Sequence, residues 1–231
     1  MRHVRVPFDC CYNIAYRLVR MSSSKHSKSE TTVANLLSAA RSAFLAKNYA
    51  EVTMDEIAEA AGVTKGALYH HFRSKEALYL EMMHAYLQGM RELFRAALGE
   101  PGTTKERLRR LTQSFLNLPP EQRDLMKLVR RDINIFRDPL REQLVRAYQA
   151  TLPQPIEALV REGIEEGQLA PSDARLLSWM YVAMVEVMLT RYAALLFEDQ
   201  EAMLDRVLDL FFSGAGQPTE SIASLPVSGA P

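Results

Sequence analysis

Cysteine is almost absent from this chain of 231 residues and 26.2 kDa, and the two that occur, Cys10 and Cys11, are adjacent. No disulfide framework or zinc site follows from such a pair, and the usage points to a reducing, cytoplasmic setting. A redox-sensing role for the two thiols would need an ordered, electropositive environment and is the minor reading. Turn-forming residues are scarce too. There are 10 Gly and 11 Pro, and three of each lie after Phe212. That argues against many short strands and for helices. Net charge is missing, with 28 Lys+Arg against 28 Asp+Glu. A histone-like coat and an acidic, disordered solubiliser are both excluded, and any nucleic-acid surface must be local. Long hydrophobic runs are also lacking. The longest, Leu176 to Leu189, is interrupted by Ser178 and Glu186 and falls short of the ~18–20 residues a bilayer requires. The basic start of the chain is followed by an apolar stretch broken at Asp9 and Asn13, without a small-x-small cleavage site, so it makes a poor signal peptide.

Catalytic signatures are missing as well. There is no Gly-rich phosphate loop, no G-x-S-x-G and no H-E-x-x-H spacing. His70 and His71 are neighbours on a helix and point about 100° apart, so they cannot converge on one ion. Neither enzyme activity, nor a metal site, nor a cofactor is expected.

What the chain does carry is helical periodicity. Val33, Leu36, Leu37, Ala40, Phe44 and Leu45 recur at three- and four-residue spacing from Thr32 onward. The stop falls near Asn48, a residue that tolerates a left-handed cap. Thr53-Met-Asp-Glu56 reads as a capping box, with Val52 and Ile57 as its hydrophobic staple. The short helix it opens ends at Gly62, which is free to take positive φ. Thr64 caps a second short helix to about His71, and Ser74 caps a longer one up to Gly99. Thr103-Thr-Lys-Glu106 is another capping box, for a helix to about Leu118. Further helices are expected from Glu121 to Phe136 and from Pro139 to Glu166, the latter broken or kinked at Pro153 and Pro155. Two more are expected from Pro171 to Phe197 and from Gln200 to Ser213. The fold class is all-α.

The segments at the two ends read differently. Residues 1–20 carry a net +3, and a polar, low-complexity stretch follows Met21. These residues are either a basic arm or an extension upstream of a start at Met21, and the loose stretch after Met21 fits the second better. Residues 1–31 are expected to be a flexible extension and 214–231 a disordered tail.

The informative segment is Val52–Lys75, VTMDEIAEAAGVTKGALYHHFRSK. It reads as two short helices that pack through Ile57, Ala58, Ala61, Ala67 and Leu68 and join at Gly62-Val63. That is a helix-turn-helix. The second helix presents residues suited to DNA. Thr64 and the amides around it would accept a phosphate. Lys65 would neutralise charge or donate to guanine. Gly66 would allow close backbone approach, and the Tyr69 hydroxyl would reach a phosphate. Lys75 would bring a cation to the backbone from the first turn of the next helix.

These residues resemble the DNA-binding domain of the TetR/AcrR family of transcriptional regulators. The matching positions are Thr53, Ile57, Ala58, Ala61, Gly62, Val63, Thr64, Gly66, Leu68, Tyr69, His71, Phe72, Ser74, Lys75 and Leu78, without a gap. Asn48 stands where the family usually has Gly. The resemblance implies an N-terminal three-helix DNA-binding domain over 32–80 and a larger helical effector-binding and dimerisation domain over 81–213. It implies DNA contacts from Thr53, Thr64, Lys65, Gly66, Tyr69, His70 and Lys75. It also implies a homodimer joined through helices near 173–197 and 200–213, with recognition helices about one DNA turn (~34–36 Å) apart. The expected function is a ligand-responsive regulator, most simply a repressor that a small-molecule effector releases from a palindromic double-stranded DNA operator; the other reading is a helical adaptor or small-molecule-binding protein without DNA-binding activity. No membrane partner is expected.

The effector end is less legible. The helix at 176–189 is apolar nearly all round and so is expected to be covered on both sides. Glu186 within it reads as a buried carboxylate that needs a partner, such as Arg130, Arg131, Arg191 or a ligand. Arg130, Asn134, Tyr181, Met184 and Glu186 are the candidate pocket residues for a largely apolar effector. Seven Arg/Lys against four acids over residues 123–146 read first as a solvated, salt-bridged face. An anionic effector such as an acyl-CoA is the second reading.

Overall fold

The computed structural model describes residues 28–190, 192–193 and 199–214, and all regular structure among them is helical. Cys10, Cys11, the expected N-terminal extension through residue 27 and the tail from 215 lie outside the described residues, as does Arg191. The helices are α1 (Lys28–Ala46), α2 (Met54–Ala60), α3 (Lys65–His71), α4 (Lys75–Gly99), α5 (Thr104–Leu116), α6 (Pro120–Asp132), α7 (Leu140–Thr151), α8 (Pro153–Glu165), α9 (Ala174–Met188) and α10 (Gln200–Gly214). No described helix is long and apolar enough to cross a membrane.

The chain forms two compact units. Among the described residues, one holds 28–94 together with Phe115–Thr151. The other holds Arg95–Ser114 and the described residues of 152–214.

In the first unit α1 packs on α2 and on α6. Its buried face is Leu36, Leu37, Ala40 and Phe44, the stripe that its periodicity dictates. Phe44 meets Tyr79 of α4 edge-on at 4.9 Å, and Tyr49 meets Tyr79 and Phe136 edge-on at 5.3 and 5.1 Å. Such ring pairs add about 0.5–1.5 kcal/mol each beyond the area they bury. Among them lies the buried carboxylate of Asp132. It accepts from the Tyr79 hydroxyl at 3.0 Å and from Arg131 Nε and Nη2 at 2.6 and 2.9 Å. Arg131 Nη2 also reaches the Phe44 carbonyl at 3.4 Å. Burial and then the Asp132 charge push the Tyr79 phenol far above its usual range, so it remains a donor.

Three expectations are corrected here. α6 ends at Asp132 and not at Phe136, because the chain turns there (Ile135 N–H to Asp132 O, 2.9 Å) and Phe136 enters the aromatic cluster. Asn48 does not cap α1 in a left-handed conformation, since no described non-glycine residue has positive φ. Instead Asn48 and Glu51 close a turn, with Glu51 N–H on the Asn48 carbonyl and Asn48 N–H on the Glu51 carboxylate. Arg131 pairs with Asp132, not with Glu186.

In the second unit α8 and α9 make the most extensive helix pairing, and α10 packs on α9. α7 and α8 separate at Leu152, with Pro153 opening α8, where its missing N–H is no loss. Asp173 caps α9 by accepting from the Arg175 and Leu176 amides at 2.9 and 3.1 Å. Gly163 of α8 lies so close to α5 that an added Cβ would collide with the Thr104 hydroxyl and sit 3.2 Å from its Cβ and Cγ2. Arg109 of α5 holds Glu201 and Asp205 of α10 at 2.9 and 2.8 Å. The guanidinium keeps the Asp205 carboxyl below its usual range.

α9 is not covered on both sides within this unit. Leu177, Ser178, Tyr181, Val182 and Met188 are buried, whereas Leu176 (58% exposed), Trp179 (39%), Met180 (48%) and Val187 (61%) face outward. The apolar character all round therefore divides into an internal face and an open one.

Candidate nucleic-acid interface

The two short helices at 54–71 are held by their caps. Thr53 Oγ1 accepts the Glu56 amide at 3.2 Å, and Glu56 Oε2 accepts the Thr53 amide at 3.1 Å, which completes the capping box. Lys47 grips the same Glu56 carboxylate. Hydrogen bonding to Lys47, and then to the Thr53 amide, holds that carboxyl below its usual range. Val52 and Ile57 are both buried, so the staple forms. Gly62 turns the chain at φ 68°, and Val63 N–H returns to the Ala58 carbonyl at 3.0 Å. Thr64 then caps α3 by accepting the Ala67 amide at 3.2 Å. A threonine hydroxyl that accepts one amide bond still carries its own proton. Thr53 and Thr64, both exposed, therefore retain a donor for an outside acceptor.

α3 is anchored by one fully buried side chain, Leu68, and by Phe72 just beyond its end. Ala67 and His71 are half-buried. Lys65, Gly66 and His70 are exposed, and Tyr69 is 42% exposed despite its size. Gly66 is informative in its own right. It has no positive φ, and an added Cβ would meet only the Thr64 hydroxyl, at 4.0 Å. Nothing in the fold requires glycine there, although glycine inside a helix costs about 0.5–1 kcal/mol relative to alanine.

Lys75 is placed differently from the other candidates. Its ammonium turns inward, donating to the carbonyls of Tyr49 and Val52 at 2.8 Å each and of Ala50 at 3.4 Å, and lies 4.5 Å from the centre of the Tyr49 ring. Its donors thus close the 49–52 turn that leads into Thr53. Sequence reasoning missed this use of Lys75 because a cation in the first turn of a helix carries no mark of which way it faces.

Sequence reasoning also missed the partner of Lys65. Asp55 of α2 holds the Lys65 ammonium at 2.8 Å, with both side chains about three-fifths exposed. Hydrogen bonding and then the charge of Asp55 raise the ammonium above its usual range. Ten residues separate the two, a spacing that no helical periodicity links.

The candidate effector residues divide between the units. Arg130 and Asn134 are exposed in the first. In the second, Met184 and Glu186 are half-buried, so Glu186 is not the buried carboxylate expected. Tyr181 is fully buried. Its hydroxyl lies 2.6 Å from Thr112 Oγ1 and donates to the Leu108 carbonyl at 3.2 Å, so its hydrogen bonding is already internal. Among the described residues no group of His, Cys, Asp or Glu is arranged to hold a metal ion.

A capped two-helix element whose second helix is anchored from below and polar on its open face defines a helix-turn-helix DNA-binding protein. The chain matches the family described as bacterial regulatory proteins, tetR family, over residues 36–82. It matches the tetracyclin repressor-like C-terminal domain over residues 101–215. It belongs to the TetR family of transcriptional regulators, which bind DNA and are not enzymes.

Among its relatives is a probable acrEF/envCD operon repressor of Escherichia coli K12. The two are 25% identical over 218 residues, covering 87% of this chain and 95% of that one. Two solved structures share the fold. FadR of Bacillus subtilis, in complex with stearoyl-CoA, has a TM-score of 0.67 at 21% identity, covering 78% of this chain and 98% of that one. AibR, in complex with isovaleryl coenzyme A and operator DNA, has a TM-score of 0.66 at 19% identity, with the same coverage.

Proposed function

We propose that the chain is a cytoplasmic, homodimeric repressor released from a palindromic operator by a small-molecule effector. Residues 32–80 read DNA, and residues 81–213 bind the effector and dimerise. The open face of α3 carries this reading. Gly66 lets the helix backbone approach DNA closely, Lys65 meets a guanine edge or a phosphate, and Thr53, Thr64, Tyr69 and His70 supply phosphate or base-edge contacts. Lys75 supports them by holding the turn before Thr53.

The outward apolar side chains Leu176, Trp179, Met180 and Val187 of α9, with Leu210 of α10 (67% exposed), supply the surface on which a second copy packs. Contiguous apolar faces of this kind mark association sites. The effector lies beside α9, near Met184 and Glu186. A largely apolar molecule suits that helix, and an acyl-CoA is the first class to test. Both solved relatives carry one. The effector shifts the equilibrium only by its differential affinity for the DNA-binding and released conformers.

The test is a salt titration on a duplex that the protein itself selects from random-sequence DNA. The expected result is tight binding with a steep negative salt slope, weakened by Tyr69→Phe and by Lys65→Ala. Equal, negligible binding by all three proteins at low salt overturns the DNA assignment. Leu176→Glu is expected to give monomers in sedimentation and weaker operator binding, and an unchanged dimer rejects the α9 interface. Acyl-CoA is expected to lower operator affinity in the same assay.

A further inference from the structure

The helix-turn-helix carries its own anion at the point where DNA must arrive. Lys65, the first residue of α3, is the most forward cation of the recognition helix, and in the free protein it is bridged to Asp55 of α2. Asp55 lies outside the capping box and outside the core. Its side chain is 62% exposed, the α2 capping box is made by Thr53 and Glu56, and the core beneath is Ile57, Ala58 and Leu68. Its hydrogen-bond partner among the described residues is the Lys65 ammonium.

We propose that Asp55 is a specificity-determining residue that withholds the Lys65 charge from DNA until an operator displaces it. The proposal rests on the reading of Lys65 as a DNA contact. A paired ammonium brings no net charge to a phosphate and so releases no condensed counterion. On random DNA, where backbone charge is almost the whole attraction, the bridge stays closed and Lys65 contributes nothing. At an operator, a directed donor–acceptor match to a base edge or a fixed phosphate replaces the carboxylate. The bridge opens, and Lys65 is counted. The Asp55 carboxylate left behind also repels phosphates, more evenly across all sequences. The device therefore lowers affinity for the many wrong sites more than for the right one, which is how discrimination by an unfavourable element works. Asp55 stands among further acids, Glu51 in the turn before α2 and Glu56 and Glu59 on α2 itself.

The test uses the full chain and two duplexes of equal length. One is selected from random-sequence DNA by the protein, and the other is a scrambled version of it. Both are titrated between about 50 and 200 mM salt. Asp55→Asn is expected to steepen the salt slope on the scrambled duplex by about 0.9 per bound protomer. That is a tightening of roughly eightfold per protomer near 0.1 M salt, taking the contact to vanish at about 1 M. On the selected duplex the slope stays as in the parent and affinity rises by less, so the ratio of the two affinities falls. Adding Lys65→Ala to Asp55→Asn is expected to return the scrambled-duplex slope to the parent value.

If Asp55→Asn leaves both slopes and the affinity ratio unchanged while Lys65→Ala weakens the selected duplex, the withholding role is wrong and the Lys65 contact stands. If Lys65→Ala alone changes neither duplex, Lys65 is not a DNA contact and the proposal falls with that reading. Both side chains are exposed, so coincident melting curves serve as the folding control.

Discussion

Replacing Tyr79 by Phe removes one hydroxyl from the middle of the first unit and nothing else. The ring stays, so its edge contacts with Phe44 and Tyr49 are kept. What is lost is the 3.0 Å bond to the buried Asp132 carboxylate, which keeps only its two contacts with Arg131. A hydrogen bond to a charged group contributes about 1.5–3 kcal/mol, and the Asp132 carboxylate left behind is buried. The expected loss is about 2 kcal/mol. For a chain of this size one kcal/mol moves the melting temperature by about 2–4 °C, so Tyr79→Phe should melt about 4–8 °C lower. Circular dichroism on parent and variant measures this directly. The Tyr79 phenol is held protonated by burial and by Asp132, so the difference should be the same at pH 6 as at about pH 8. A shift below about 1 °C would refute the reasoning, because it would mean that the buried carboxylate is satisfied without the phenol. Asp132→Asn supplies the cross-check: the two substitutions together should cost less than the sum of each alone, as for groups that share one interaction.

Other outcomes follow from the same geometry. Tyr79, Tyr86 and Tyr181 all have phenols raised by burial. A raised folded-state value means stability that is complete below the unfolded value of about 10 and lost as pH climbs past it, so alkaline unfolding should coincide with the rise of tyrosinate absorbance. Gly163→Ala should destabilise by about 1–3 kcal/mol through overpacking against Thr104, with Thr104→Ala largely restoring the melting temperature; an unchanged melt would show that α5 and α8 can part cheaply. Lys75→Met should weaken operator binding while leaving the salt slope where it was, because the lost cation was holding the 49–52 turn. A slope flatter by about 0.9 per protomer would instead identify a phosphate contact. Asp205, held ionised by Arg109, contributes stability present above the usual carboxylate range and lost as pH falls below it, so Asp205→Asn should melt with a shallower acid dependence than the parent.

How much of this was legible in the chain depends on the range of the interactions. The capping boxes at Thr53 and Thr103, the caps at Thr64 and Ser74, the staple of Val52 and Ile57 and the positive φ of Gly62 all appear where the residues stand in sequence. Each is an agreement between groups no more than five residues apart. The buried stripe of α1 was legible for the same reason, since helical periodicity is itself a short-range rule. The candidate pocket was not. Glu186 was singled out as the carboxylate needing a partner, yet the buried carboxylate is Asp132, whose phenolic partner is 53 residues away.

The amino-acid sequence by itself determined the all-helical class, the helix-turn-helix with its caps, and which side chains of α3 stay exposed. These follow from backbone groups that must be capped locally and from apolar residues that repeat with the helix. Only the tertiary structure decided where charges go. It turned Lys75 inward onto three carbonyls, closed Lys65 onto Asp55, ended α6 at Asp132 and left one face of α9 open. An ion pair or a buried hydrogen bond acts over a few ångströms of space between groups that may be any distance apart in the chain, and nothing in residue order records that proximity until the helices have packed.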